Sequence, residues 1–195
     1  MQAIRRLHHI IRWNLKGKPA PPPHEVKEST VKHYQKRFGP QVFVETGTYL
    51  GDMVAAVMPR FRQVYSVELS PELYEKARRR FVACQNVHIS HGDSSEVLSD
   101  ILSGIAEPCL FWLDGHFSGG NTARGTVDFP ILRELDCIRE HKIKNHVILI
   151  DDARLFGESS DIPGKTEVLE SLRAINPKYT IEERHDIIRA FLAGR

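Results

Sequence analysis

From residue 42 onward the chain repeats one unit, a short apolar run that ends in a carboxylate or glycine and is followed by a helical stretch. The runs are VFVETG (42–47), VYSVEL (64–69), VHISHGD (87–93), LFWLDG (110–115) and HVILIDD (146–152). Helical patterns separate them at about 51–58, 71–83, 94–104, 128–141 and 165–175. Nearly continuous apolar runs suit strands buried on both faces, and the intervening helices supply the cover. Right-handed crossovers then give a Rossmann-like, doubly wound α/β sheet. YTIEERH (179–185) and DIIRAFLA (186–193) follow one another with almost no gap. They predict a C-terminal antiparallel hairpin, which completes a mostly parallel seven-stranded sheet.

The first 40 residues follow other rules. Ile4, Leu7, Ile11 and Leu15 recur at helical spacing over 2–15. Arg5, Arg6, Arg12, Lys16 and Lys18 all precede the first acid, Glu25. This basic amphipathic helix suits packing on the domain, on a second copy in a homodimer, or on a membrane surface. Gly17-Lys18-Pro19-Ala20-Pro21-Pro22-Pro23 stops it and reads as a stiff connector. A second helix is expected over about 25–38, ending at Gly39-Pro40. We therefore divide the chain into 1–40, helices and connector, and 41–195, the α/β domain.

Composition narrows the setting. A net charge of +2 does not by itself imply nucleic acid, and none is expected as a partner. Cys84, Cys109 and Cys137 form no C-x-x-C pair, which argues for reduced thiols in a cytoplasmic protein. No apolar run approaches the roughly 20 residues that a membrane span requires.

In open α/β sheets, ligands bind outside the carboxyl ends of the strands. All five candidate strands carry acids there: Glu45, Glu68, Asp93, Asp114 and the pair Asp151 and Asp152. Such repetition points to one concave site that uses carboxylates. Glu45-Thr46-Gly47-Thr48-Tyr49-Leu50-Gly51 opens it. Gly47 permits the turn and Gly51 a close helix approach. This E-x-G-x-x-x-G run differs from the G-x-G-x-x-G of dinucleotide binders. An acid at the turn would repel a pyrophosphate but suits an ammonium group. Glu68, followed by Leu69, can accept two ribose hydroxyls. Asp93 or Ser94 can meet an adenine amine, although either also serves as a helix cap.

Together, E-T-G-T-Y-L-G, V-E-L-S-P and H-G-D-S resemble the three cofactor motifs of class I S-adenosylmethionine-dependent methyltransferases. The resemblance covers roughly 41–193, and is nearest to the metal-dependent O-methyltransferases of catechol type and of bacterial sugar pathways. It implies S-adenosylmethionine contacts from Glu45, Thr46, Gly47, Thr48, Tyr49, Gly51, Glu68, Leu69, Asp93, Ser94 and Asp114.

Asp114, Asp151 and Asp152 should converge at neighbouring strand ends. Three such carboxylates repel one another, and Mg²⁺ or another divalent cation would relieve that, as would an arginine partner. The related O-methyltransferases place acids at these strand ends to bind Mg²⁺, so the resemblance implies the same for this trio. A bound cation acidifies and orients an acceptor hydroxyl, and a base then takes the proton. His116 is the candidate base beside Asp114. The relatives carry a carboxylate at this position, or Lys one residue later, where this chain has Phe117. Arg124 and Arg154 are candidate contacts for an anionic acceptor.

The resulting expectation is metal-assisted O-methylation of a hydroxylated small molecule, sugar or glycan. Metal-independent N- or carboxyl-methylation and a non-catalytic cofactor-binding module are the alternatives.

Overall fold

The computed structural model of the chain describes residues 2–115 and 129–194. Helix α1 (Gln2–Leu15) and helix α2 (His24–Phe38) precede the sheet. Strand β1 (Val42–Thr46) leads into α3 (Asp52–Val57) and a 3-10 turn at Met58–Arg60. The alternation continues with β2 (Gln63–Glu68), α4 (Pro71–Arg80), β3 (Val87–His91), α5 (Ser94–Ser103), β4 (Cys109–Leu113), α6 (Ile131–Glu140), β5 (Val147–Ile150) and α7 (Lys165–Ile175). Strands β6 (Thr180–Arg184) and β7 (Ile187–Phe191) close the chain.

The strands form one sheet in the order β3-β2-β1-β4-β5-β7-β6. The first five are parallel, and β7 runs antiparallel to both β5 and β6. The expected seven-stranded sheet with a terminal hairpin is therefore present. The hairpin turns through His185 and Asp186 with φ of 54° and 62°. Two consecutive left-handed residues are the geometry of a tight two-residue hairpin turn, and the short polar Asp tolerates it.

Alternate strand residues feed two cores. Phe43, Leu110, Trp112 and Leu149 meet Val31 and Tyr34 of α2 and Val54 and Val57 of α3 on one face. Val44, Phe111, Leu113, Ile148 and Ile150 meet the apolar sides of α5, α6 and α7 on the other. Trp112 is thus core packing, as expected of a residue inside a buried strand. Because Val31 and Tyr34 are fully buried, α2 shares the core of the α/β body. The Tyr34 hydroxyl also donates to Glu182 of β6 at 2.8 Å.

Helix boundaries follow local chemistry. Gly39 ends α2 in the left-handed conformation, and its N–H reaches the Gln35 carbonyl at 2.8 Å. Ser70 caps α4, with Pro71 in its first turn. Asp93 caps α5 through the Ser95 N–H at 2.9 Å.

Helix α1 is clipped to α2 by polar contacts. Arg6 donates to the buried Glu28 at 2.6 Å, and His9 lies 3.4 Å from Glu25. Trp13 is buried and donates to the Pro19 carbonyl at 2.7 Å. Leu7, Ile11 and Leu15 stay exposed on the opposite side. Among the described residues no helix is long and apolar enough to cross a membrane.

Candidate functional site

Strand order reverses between β1 and β4, so the loops leaving these strands diverge and open a crevice at their carboxyl ends. The first loop is tightly built. Gly47 has φ +84°, and a Cβ there would lie 2.6 Å from the Asp114 carbonyl oxygen. Gly51 has φ +77°, and its Cβ would strike the Phe81 ring. Between them Tyr49 sits at φ +49°, a conformation a bulky side chain rarely takes. Its N–H is used at once, donating to Glu68 Oε2 at 2.7 Å.

Glu68 also accepts from the Ser70 N–H at 2.9 Å through Oε1. These backbone donors fix the carboxylate's orientation. Burial nevertheless raises its pKa above the ordinary range, against the pull of those amides. Leu69 turns its carbonyl toward His91, 3.2 Å away.

Glu45 lies one residue inside β1 and is buried. It accepts from the Ser66 hydroxyl at 2.6 Å. Ser66 has only one proton to give, so Thr48, 2.6 Å from Ser66, donates to it. Burial is the main reason that the Glu45 pKa rises to about 8, and the charges of Asp114 and Glu68 add to it. The Thr46 hydroxyl accepts from the Asp114 N–H at 3.3 Å, tying the ends of β1 and β4 together.

On the next loop, Asp93 takes both the N–H and the hydroxyl of Ser95. Ser94 donates to Glu134 of α6. Asp93 and Ser94 thus have structural partners of their own at the position proposed for an adenine contact. Glu134 was not foreseen. It is buried on α6, and a Cβ at Gly115 would come within 2.9 Å of its Oε1 and 3.1 Å of Thr46 Oγ1. It lines the same recess as Asp114, Asp151 and Asp152.

Asp114, Asp151 and Asp152 do converge, with one oxygen from each lying within 4.8 Å of the others. They border a shallow, open recess whose apolar wall includes Phe129, Ile131 and Phe156. Asp152 holds a left-handed φ of 51°, which turns the chain immediately after β5. Burial, the neighbouring acids and incomplete compensation raise the pKa of Asp151 well above normal and that of Asp114 to about 6.

The trio fits a divalent ion in number, type and spacing of oxygens. Two of its members, however, already meet cations of the chain. The Lys27 ammonium, from the first turns of α2, contacts Asp151 Oδ2 and lies 3.8 Å from Asp152 Oδ1. Arg154 donates to Asp152 Oδ1 at 2.7 Å and pairs with Asp186 in the β6–β7 turn. The arginine-paired alternative is thus realised for Arg154, whose guanidinium holds protein carboxylates. His116 and Arg124 lie outside the described residues.

Lys27, Glu134 and Asp186 escaped sequence reading for one reason. Each reaches the site from an element distant in sequence, and none sits in a motif. The sole available signal was that β5 ends in two adjacent acids, which demand a counter-charge from somewhere.

The sequence matches no family profile and no curated relative. Solved structures do match in fold. An S-adenosylhomocysteine-bound methyltransferase of Podospora anserina, PaMTH1, aligns with a TM-score of 0.58 at 14% identity, over 97% of this chain and 88% of that one. An O-methyltransferase of Bacillus cereus, in complex with S-adenosylhomocysteine, gives 0.60 at 15% identity, over 96% and 90%. The N-methyltransferase NodS of Bradyrhizobium japonicum gives 0.53 at 12% identity, over 86% and 93%. The chain has the Rossmann-like fold of these S-adenosylmethionine-dependent methyltransferases. Fold at this identity does not select the acceptor atom, since oxygen- and nitrogen-methylating proteins share it.

Proposed function

We propose that the protein is an S-adenosylmethionine-dependent methyltransferase acting on a hydroxylated acceptor, a sugar or glycan being the preferred class. One observation carries this reading. The crevice at the strand reversal combines the Gly47 turn with an oriented Glu68 at the end of β2, and opens toward a second group of acids after β4 and β5. That juxtaposes a nucleoside-binding edge with a polar acceptor recess.

When bound, S-adenosylmethionine supplies a methyl group on a sulfonium, which departs as a thioether once an acceptor oxygen attacks. Glu68 would hold the ribose hydroxyls, and Asp93 and Ser94 would flank the base. Glu45, Thr46, Gly47 and Thr48 would bound the amino-acid end, with Tyr49 and Gly51 fixing the loop. The acceptor hydroxyl must lose its proton as the new C–O bond forms. Asp114, at the edge of the recess, would receive it, with His116, two residues on in the sequence, as the other candidate base. A cation at the carboxylate trio would acidify and orient the hydroxyl, and its identity is either a divalent ion or a side chain of the protein.

Thermal unfolding with S-adenosylhomocysteine tests the cofactor assignment. Ligand at about 100 times its dissociation constant adds about 2.7 kcal/mol, which raises the midpoint of a domain this size by several degrees. An unchanged midpoint at saturating ligand, or a shift with NAD instead, would overturn the reading. Turnover on small catechols with none on sugars would overturn the acceptor class alone.

A further inference from the structure

We propose that Lys27 is the resident cation of the Asp114–Asp151–Asp152 trio, standing where a divalent metal would stand, so that the site works without one. The starting point is charge. Three carboxylates whose oxygens approach within 4.8 Å need a cation or a shared proton among them. The Asp151 side chain is fully buried and that of Asp152 is 12% exposed, so solvent screens them poorly. The Lys27 side chain is itself only 17% exposed, so its ammonium is withdrawn from bulk water.

The placement is built by the fold. Lys27 lies on α2, whose Val31 and Tyr34 are locked into the sheet core. The next residue, the buried Glu28, is held by Arg6 at 2.6 Å and by Lys32 at 2.9 Å. A helix fixed on both sides delivers the ammonium to one place. There it contacts Asp151 Oδ2, an atom with no aligned hydrogen bond of its own. A second cation, Arg154, donates to Asp152 Oδ1 at 2.7 Å, the oxygen that Lys27 approaches to 3.8 Å.

An ammonium and a divalent ion cannot share these oxygens. A metal would require short bonds to the atoms that Lys27 already faces, and two cations so close repel strongly. Lysine is a compact point charge, which suits it to replace an ion better than a planar guanidinium would. Its task is to position and neutralise Asp151 and Asp152, so that the recess tolerates their negative charge while an acceptor binds. That task toward an acceptor rests on the methyltransferase reading, whereas the exclusion of metal does not.

The test is binding of Mn²⁺ alone to the full chain, followed by the loss of the free-ion paramagnetic resonance signal. The wild-type protein should show no saturable site at micromolar Mn²⁺. Lys27→Met should create one, with affinity at least tenfold higher than wild type, and adding Asp151→Asn should abolish it. Should Lys27→Met fail to fold alone, refolding with Mn²⁺ should recover it, since the ion then supplies the missing charge. A second measurement uses wild-type protein only: the midpoint shift from S-adenosylhomocysteine should be the same in chelator and in excess Mg²⁺. Stoichiometric Mn²⁺ binding by wild type, or no gain of binding in Lys27→Met, would overturn the proposal. Either result leaves the cofactor-induced shift intact if the methyltransferase reading is correct, so the two ideas fail separately.

Discussion

Gly47 and the Asp114 carbonyl oxygen approach so closely that a single added methyl carbon at Gly47 would lie 2.6 Å from that oxygen. The contact joins the loop after β1 to the end of β4, and so fixes the spacing between the proposed cofactor edge and the acid trio. Gly47→Ala therefore combines a backbone clash with a φ of +84°. It should cost about 1–3 kcal/mol from the left-handed conformation, and more from the clash. Calorimetry should find a lower midpoint, together with weaker S-adenosylhomocysteine binding.

Glu45 gives a prediction of opposite sign. Its folded pKa is raised to about 8 from an ordinary 4.5. A raised carboxyl contributes stability that is complete below the unfolded value and is lost as pH rises through the folded one. Glu45→Gln keeps an acceptor for the Ser66 hydroxyl but cannot ionise. Its midpoint should equal that of wild type near pH 4 and exceed it increasingly up to pH 8. If Glu45 also meets the cofactor's ammonium, the same variant should bind S-adenosylhomocysteine more weakly.

At the other end of the sheet His146 is buried, and accepts from the Cys109 N–H at 3.0 Å through Nδ1. That fixes its proton on Nε2, which donates to His141 Nδ1 at 3.1 Å, and His141 then donates to the Ile105 carbonyl at 2.9 Å. The His146 ring must be neutral for this chain of donors to close. Burial above all lowers the His146 pKa to about 3 from 6.5. The stability it contributes is present above 6.5 and lost as pH falls toward 3. His146→Gln should lower the midpoint at pH 8 and flatten its acid decline. Thermal scans across pH 4–8 would show a parallel decline if His146 plays no part.

Glu28 is the hinge of the N-terminal packing. It receives Arg6 and Lys32, with His24 3.4 Å away. Glu28→Ala should release α1, because beyond Trp13 that helix offers its exposed Leu7, Ile11 and Leu15 to nothing among the described residues. Faster tryptic cleavage after Arg12 is expected, with the midpoint of the α/β body moving far less.

Much of the architecture was legible from the chain because its physics is local. A short apolar run such as LFWL, ending in Asp-Gly and flanked by helical patterns, reads as a strand covered on both faces, and β4 is that. Turn and cap residues set the boundaries, from Ser70-Pro71 before α4 to the His185-Asp186 hairpin. The acids at strand ends were legible for the same reason, since a strand's carboxyl end and the ligand edge of a parallel sheet coincide. The sequence thereby determined the fold class, the terminal hairpin and the edge on which the candidate site lies.

Tertiary structure alone decided what those acids face. Asp151 and Asp152 announce a cation, but whether it is a metal ion, Arg154 or Lys27 depends on where α2 lands. The packing of Val31 and Tyr34 against the sheet core brings Lys27 beside these acids. Ser94 finding Glu134, and Arg154 finding Asp186, likewise depend on crossovers that bring distant segments together. Periodicity reports the face that a residue presents, because backbone geometry repeats every few residues. The partner across the contact is set by how whole elements pack, and no local pattern encodes that.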